Sequence, residues 1–173
     1  MLKMFSTQLT GLFNRIHEKE EFSFEDGARL LAQAAVGDGL IYLYGKQEMA
    51  AVLAEAFDSK EPLQNAKRWD GNEENITVAD RVILFSTYSD DEEAVCAAKW
   101  LAGRMIPFVA VSTHISDGEA TLAELADVHI NLGLKRALLP DEDGSRFGYP
   151  ASMAALFVYY GLAFTLREIL ADY

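Results

Sequence analysis

The residues best suited to chemistry in this chain form a short hydroxyl-rich run, Ser86-Thr87-Tyr88-Ser89, followed at once by Asp90-Asp91-Glu92-Glu93. Hydroxyl donors beside a helix start, where the first backbone N–H groups have no intrahelical acceptor, make a neutral cradle for a phosphate. The same residue types are also the ordinary caps of a helix. Carboxylates there suit the helix dipole, yet they repel a phosphate dianion that shares the space. A second cluster, Gly45-Lys46-Gln47-Glu48, offers one cation and one carboxylate after a glycine. It fits neither Gly-x-Gly-x-x-Gly nor Gly-x-x-x-x-Gly-Lys-Ser/Thr, so a dinucleotide fingerprint and a P-loop are excluded. Ser112-Thr113-His114 is the third. The expected ligand contacts are therefore Gly45, Lys46, Gln47, Ser86, Thr87, Ser89, Ser112 and Thr113.

Glu48, Glu55 and His114 are the candidates for acid–base work, none of them fixed by a motif. His17, His114 and His129 lack ligand spacing such as His-x-x-x-His, so no metal and no cofactor is expected. Only His114 follows a strand; His129 lies within one and reads as structural. Cys96 falls inside a helical stretch and reads as a small core residue rather than a nucleophile. Lys135, Arg136 and Arg146 are the only basic cluster, available to an anion, to solvent or to a partner.

These groups need elements to hold them. Leu2, Phe5, Leu9, Leu12, Phe13 and Ile16 have the spacing of one helix face. Ser23 and Asp26 have capping-box spacing, which predicts a second helix starting at Ser23 and ending at Gly37 and Gly39. Leu40 to Tyr44, Asp80 to Phe85, Pro107 to Val111 and Asp127 to Leu132 read as buried strands, with a weaker one near Lys67-Arg68-Trp69. Helices are expected at Ala50–Phe57, Asp91–Ala102 and Thr121–Ala126, and a long apolar one follows the loop 133–149. This alternation predicts a three-layer α/β/α sandwich around a parallel sheet of about five strands. Ligands of such sheets bind beyond the carboxyl ends of the strands, where the strand order reverses, and the three clusters all lie there.

The chain has 173 residues, enough for one domain over 1–173 with a single large core. Its 27 acidic against 15 basic residues give a net charge of −12, which argues against nucleic acid and anionic membrane as partners. One cysteine and no leader-like N-terminus fit a cytoplasmic protein. The sequon Asn75-Ile76-Thr77 is then incidental. The apolar run Met153 to Leu166 is shorter than a membrane span and is closed by Arg167 and Glu168. Leu156, Phe157, Tyr160 and Phe164 on that helix predict a homodimer or larger homo-oligomer.

With those residues in view, the chain resembles the sugar-isomerase (SIS) domain of phosphosugar isomerases and sugar-phosphate-sensing regulators, in the flavodoxin-like fold class. The likeness runs from about Phe22 to Leu170. It rests on Ile41-Tyr42-Leu43-Tyr44-Gly45 with Ala54-Glu55-Ala56-Phe57, on Asp80 to Ser89, on Pro107 to Ser112, and on Leu122-Ala123-Glu124-Leu125-Ala126-Asp127-Val128. It is strongest with short SIS-like proteins of Firmicute type, some assigned as phosphoheptose isomerases. The family's phosphate loop is usually Ser-x-Ser-Gly-x-Thr; here only Ser86 matches in place, with Tyr88, Ser89 and Asp91 at the other positions. Its first loop usually has a second glycine and a serine, where this chain has Lys46-Gln47-Glu48-Met49. The histidine that phosphoheptose isomerases carry on a late helix has no counterpart after His129. The resemblance therefore implies a sugar-phosphate-binding or sensing domain with a degenerate site. An active aldose–ketose isomerase and a structural or protein-interaction domain stay open beside it.

Overall fold

Hydrophobic residues of the central strands point alternately to the two faces of a sheet, and the two sets they define build two separate cores. The computed structural model describes residues 1–72, 75–115 and 120–173. Helix α1 (Leu2–Val36) leads into β1 (Ile41–Gly45), a 3-10 turn (Gln47–Met49), α2 (Ala50–Asp58) and β2 (Ala66–Arg68). Then come β3 (Arg81–Tyr88), α3 (Glu92–Gly103), β4 (Phe108–Thr113), α4 (Leu122–Leu125) and β5 (Val128–Asn131). A small hairpin, β6 (Leu139–Pro140) with β7 (Arg146–Phe147), precedes α5 (Ala151–Leu170).

Strands β1 to β5 form one parallel sheet in the order β2-β1-β3-β4-β5. Ile41, Leu43, Ile83, Phe85, Val109, Val111 and Ile130 face α1, α2 and α5. Tyr42, Tyr44, Val82, Leu84, Phe108 and Ala110 face α3 and α4. Each large apolar side chain buried this way contributes about 1.5–3 kcal/mol, so the sheet is held from both sides. This is the expected α/β/α sandwich. The strand order reverses at β1, which places a crevice over the carboxyl ends of β1 and β3.

Three expectations about local structure need correction: Cys96, expected in the core, is exposed on α3, and two elements have other bounds. The N-terminal region is one helix of 35 residues, not two, and Ser23 lies inside it. No glycine or proline separates Ile16 from Ser23, and Glu18-Lys19-Glu20-Glu21 are helix formers, so the candidate cap has no helix start to serve. The third correction concerns β3, which does not end at Phe85 but runs on to Tyr88. Phe85 pairs with Val111 and Tyr88 with Thr113, so Ser86 and Thr87 together oppose Ser112 alone. That is a bulge, the device by which a strand re-aims its side chains.

The apolar C-terminal helix is long and apolar enough to cross a membrane by length and composition. It is nevertheless laid on the sheet, with Ala151, Ala154, Ala155, Val158, Tyr159, Leu162 and Leu166 buried. It crosses α1 at glycines: a Cβ on Gly161 would lie 2.5 Å from the Phe24 ring, and one on Gly27 would lie 3.0 Å from Leu162. Small residues there let the two helix backbones approach.

Candidate functional site

The crevice over β1 and β3 contains a cleft of about 300 Å³ lined by Tyr44, Lys46, Gln47, Phe85, Ser86, Thr87 and Asp91 to Ala94. Gly45 turns the chain into it, and only glycine fits, since a Cβ would stand 2.8 Å from the Met49 carbonyl. Gln47 follows with φ +52°, a left-handed backbone that side chains rarely adopt. On the opposite wall the Asp91 side chain caps α3 by accepting from Ala94 N–H at 3.0 Å, and Glu92 and Glu93 fill its first turn.

Ser86 and Thr87 reach the cleft because of the bulge. Ser86 is only 6% exposed, and its hydroxyl has no hydrogen-bond partner among the described residues. Thr87 donates its hydroxyl to Glu48 Oε1 at 2.6 Å. Lys46 donates to Glu93 Oε2 at 2.8 Å and lies 5.6 Å from the Tyr44 ring centroid. That bond to Glu93, before any other cause, holds the Lys46 ammonium above its usual range. Burial raises Tyr44, and the neighbouring Lys46 partly offsets it.

The remaining contacts expected from sequence lie elsewhere. Ser89 is fully buried; its hydroxyl accepts from Ile115 N–H at 3.3 Å, and its own N–H donates to Thr113 O at 3.0 Å. Ser112 is fully buried, its hydroxyl 2.8 Å from His129 Nε2. Thr113 accepts Leu134 N–H at 3.2 Å. All three hydroxyls tie the β3, β4 and β5 ends together and do not line the cleft. Sequence order placed them after strands, but β4 extends to Thr113 and takes Ser112 and Thr113 into the sheet.

Among the acid–base candidates, Glu48 stands at Thr87. Glu55 accepts from Tyr160 Oη at 2.5 Å between α2 and α5. His114 donates its backbone N–H to Asn131 Oδ1 at 3.1 Å, and its ring meets the His129 ring edge-on at 6.4 Å. Burial first, and His114 second, lower His129 to about 4. Arg146 donates to the Ala137 and Leu138 carbonyls, so this member of the basic cluster closes its own loop. Among the described residues no three His, Cys, Asp or Glu side chains converge as metal ligands. The residue sequence reasoning underrated was Glu93, taken only as part of an acidic helix start; nothing in the sequence links it to Lys46, 47 positions away.

Comparison with known proteins places this geometry in context. Residues 1–170 match the family described as Domain of unknown function (DUF2529). The chain is 47% identical over 173 residues to "Uncharacterized protein YwjG" of Bacillus subtilis (strain 168), covering 100% of this chain and 99% of that one. Three solved structures share the fold. The Vibrio vulnificus NanR protein complexed with ManNAc-6P is 16% identical with a TM-score of 0.68, over 99% of this chain and 63% of that chain. The chain thus spans less than two thirds of NanR. The c3406 protein of E. coli CFT073 is 19% identical with a TM-score of 0.70, over 98% and 89% of the two chains. The sugar isomerase domain of the RpiR transcription factor from Sphaerobacter thermophilus is 15% identical with a TM-score of 0.59, over 99% and 96%.

Proposed function

The chain belongs to the DUF2529 family and has the SIS fold, and from that premise we propose that its cleft binds a sugar phosphate as a sensing or carrier domain without turnover. One observation carries the reading. Ser86, a residue only 6% exposed, lines a polar cleft next to the start of α3, and its hydroxyl has no hydrogen-bond partner among the described residues. A hydroxyl fixed by its buried strand and facing the cleft can donate to a ligand oxygen without giving up a protein partner. Lys46, Gln47 and Thr87 stand on the same cleft and serve as further contacts, while NanR is complexed with ManNAc-6P on the same fold. Gly45 shapes the turn.

Binding is favoured over isomerisation because the proton-transfer candidates are scattered. Moving a proton between two carbons and two oxygens needs a base and a shuttle within reach of one substrate. Glu48 alone neighbours the cleft; Glu55 is engaged by Tyr160, and His114 sits over the β4–β5 edge. On this reading the protein is a single domain, cytoplasmic, and a homodimer.

The test is a thermal-shift screen with pentose, hexose and heptose phosphates at millimolar concentration, beside the unphosphorylated sugars. Phosphorylated members should raise Tm, since a ligand at 100 times its Kd stabilises the fold by about 2.7 kcal/mol. Ser86→Ala should weaken that binding by about 1–3 kcal/mol. No shift with any phosphate sinks the reading, and solvent deuterium appearing on a bound sugar would restore the isomerase.

A further inference from the structure

Among the described residues that line this cleft, Lys46 is the one cation, and it is already engaged. Lys46 comes from the turn after β1 and Glu93 from the first turn of α3, so their 2.8 Å contact joins the two walls. Both side chains are well exposed, at 48% and 68%, and an ion pair so placed contributes little and exchanges readily. Beneath them lies the Ser86 hydroxyl without a partner. Cation and free donor thus sit on one cleft, separated in use only by a carboxylate that occupies the cation.

We propose that Lys46 and Glu93 form an exchangeable pair that sets the charge selectivity of the cleft: a phosphorylated ligand binds by taking Lys46 from Glu93. This rests on the reading of the cleft as a sugar-phosphate site and adds a residue to it. In the free protein Glu93 stands in for the ligand anion, and the ammonium keeps its place over Tyr44. When a phosphate arrives, its higher charge and extra acceptor oxygens win the ammonium, and Ser86 gains the partner it lacks. Glu93 then turns to solvent, still stabilised at the positive end of α3. A neutral sugar has nothing to exchange for the pair and is not selected.

The experiment compares Glu93→Gln, Glu92→Gln, Lys46→Gln and the Lys46→Gln/Glu93→Gln double variant, each titrated calorimetrically with the same panel of sugar phosphates at fixed ionic strength. Glu93→Gln should bind about three- to fivefold more tightly, the range of an exposed ion pair. Glu92→Gln removes the same charge one residue earlier without breaking the pair, and should change affinity less than about twofold. Lys46→Gln should weaken binding, and the gain from Glu93→Gln should vanish in the double variant. If the wild type binds and Glu93→Gln does not tighten it, or Glu92→Gln tightens it equally, the exchange is wrong and the sugar-phosphate reading survives. Binding seen only in Glu93→Gln supports both. Failure of wild type and Glu93→Gln alike to bind any phosphorylated sugar overturns both.

Discussion

Gln47 holds a left-handed backbone, φ +52°, in the turn that follows β1. This conformation favours glycine, and holding it with a residue that carries a Cβ costs about 1–2 kcal/mol. Such strain persists where the side chain is useful, and Gln47 lines the cleft. Gln47→Gly should therefore raise the Tm of the free protein, by about 1 kcal/mol of relieved strain after the glycine's own entropy is counted. The same change should loosen sugar-phosphate binding severalfold. Equal affinity with a higher Tm would show that the amide has no part in the site. At this scale the sequence was half legible. Lys46 and Gln47 could be named from their place after β1, and Ser86 and Thr87 from the hydroxyl run that closes β3. Ser89, Ser112 and Thr113 are expected by the same rule, yet Ser112 and Thr113 lie inside β4 and all three hydroxyls bond at the sheet ends, because the point where a strand ends is not written in residue types.

Elements were more legible than single side chains, because burial imposes a period on them. All five parallel strands lie near their expected places, including the short β2, whose exposed Lys67 and Arg68 gave only a faint signal. The undivided α1 was missed because a serine three residues before an acid looks the same inside a helix as at its start. One contact between neighbouring strands has a measurable consequence. His129 on β5 packs against Ser112 on β4, and burial, helped by His114, lowers its pKa from 6.5 to about 4. Between those values the unfolded chain takes up a proton that the folded chain refuses, so stability is lost as pH falls from 6.5 to 4. The loss amounts to about 3 kcal/mol over the whole window. Urea midpoints at pH 7 and 4.5 should show the wild type losing about 2 kcal/mol more than His129→Gln. Identical losses would mean that the imidazole is solvated at the sheet edge.

At the scale of the whole molecule two properties oppose each other. The chain has a net charge of −12, so copies repel in dilute buffer. Helix α5 meanwhile leaves Met153 at 41%, Tyr160 at 38% and Phe164 at 57% exposure. Phe157, expected to face a partner, is instead partly buried and stacks on Phe13 of α1 with ring centroids 4.6 Å apart. The outward face is thus narrower than the all-round apolar helix suggested, and Phe164 is its most exposed aromatic. If this face joins two copies, apolar contact supplies the attraction and like charge opposes it, and salt screens only the second. Sedimentation velocity at micromolar concentration should then show a dimer whose population grows as NaCl rises from about 20 to 200 mM, the range over which the Debye length shortens to below about 10 Å. Phe164→Asp should sediment as a monomer at both salts with its Tm nearly unchanged, because substitutions at exposed positions shift stability by only about 0.5 kcal/mol. A monomeric wild type at high salt, or a Phe164→Asp protein that still dimerises, would remove α5 as the joint.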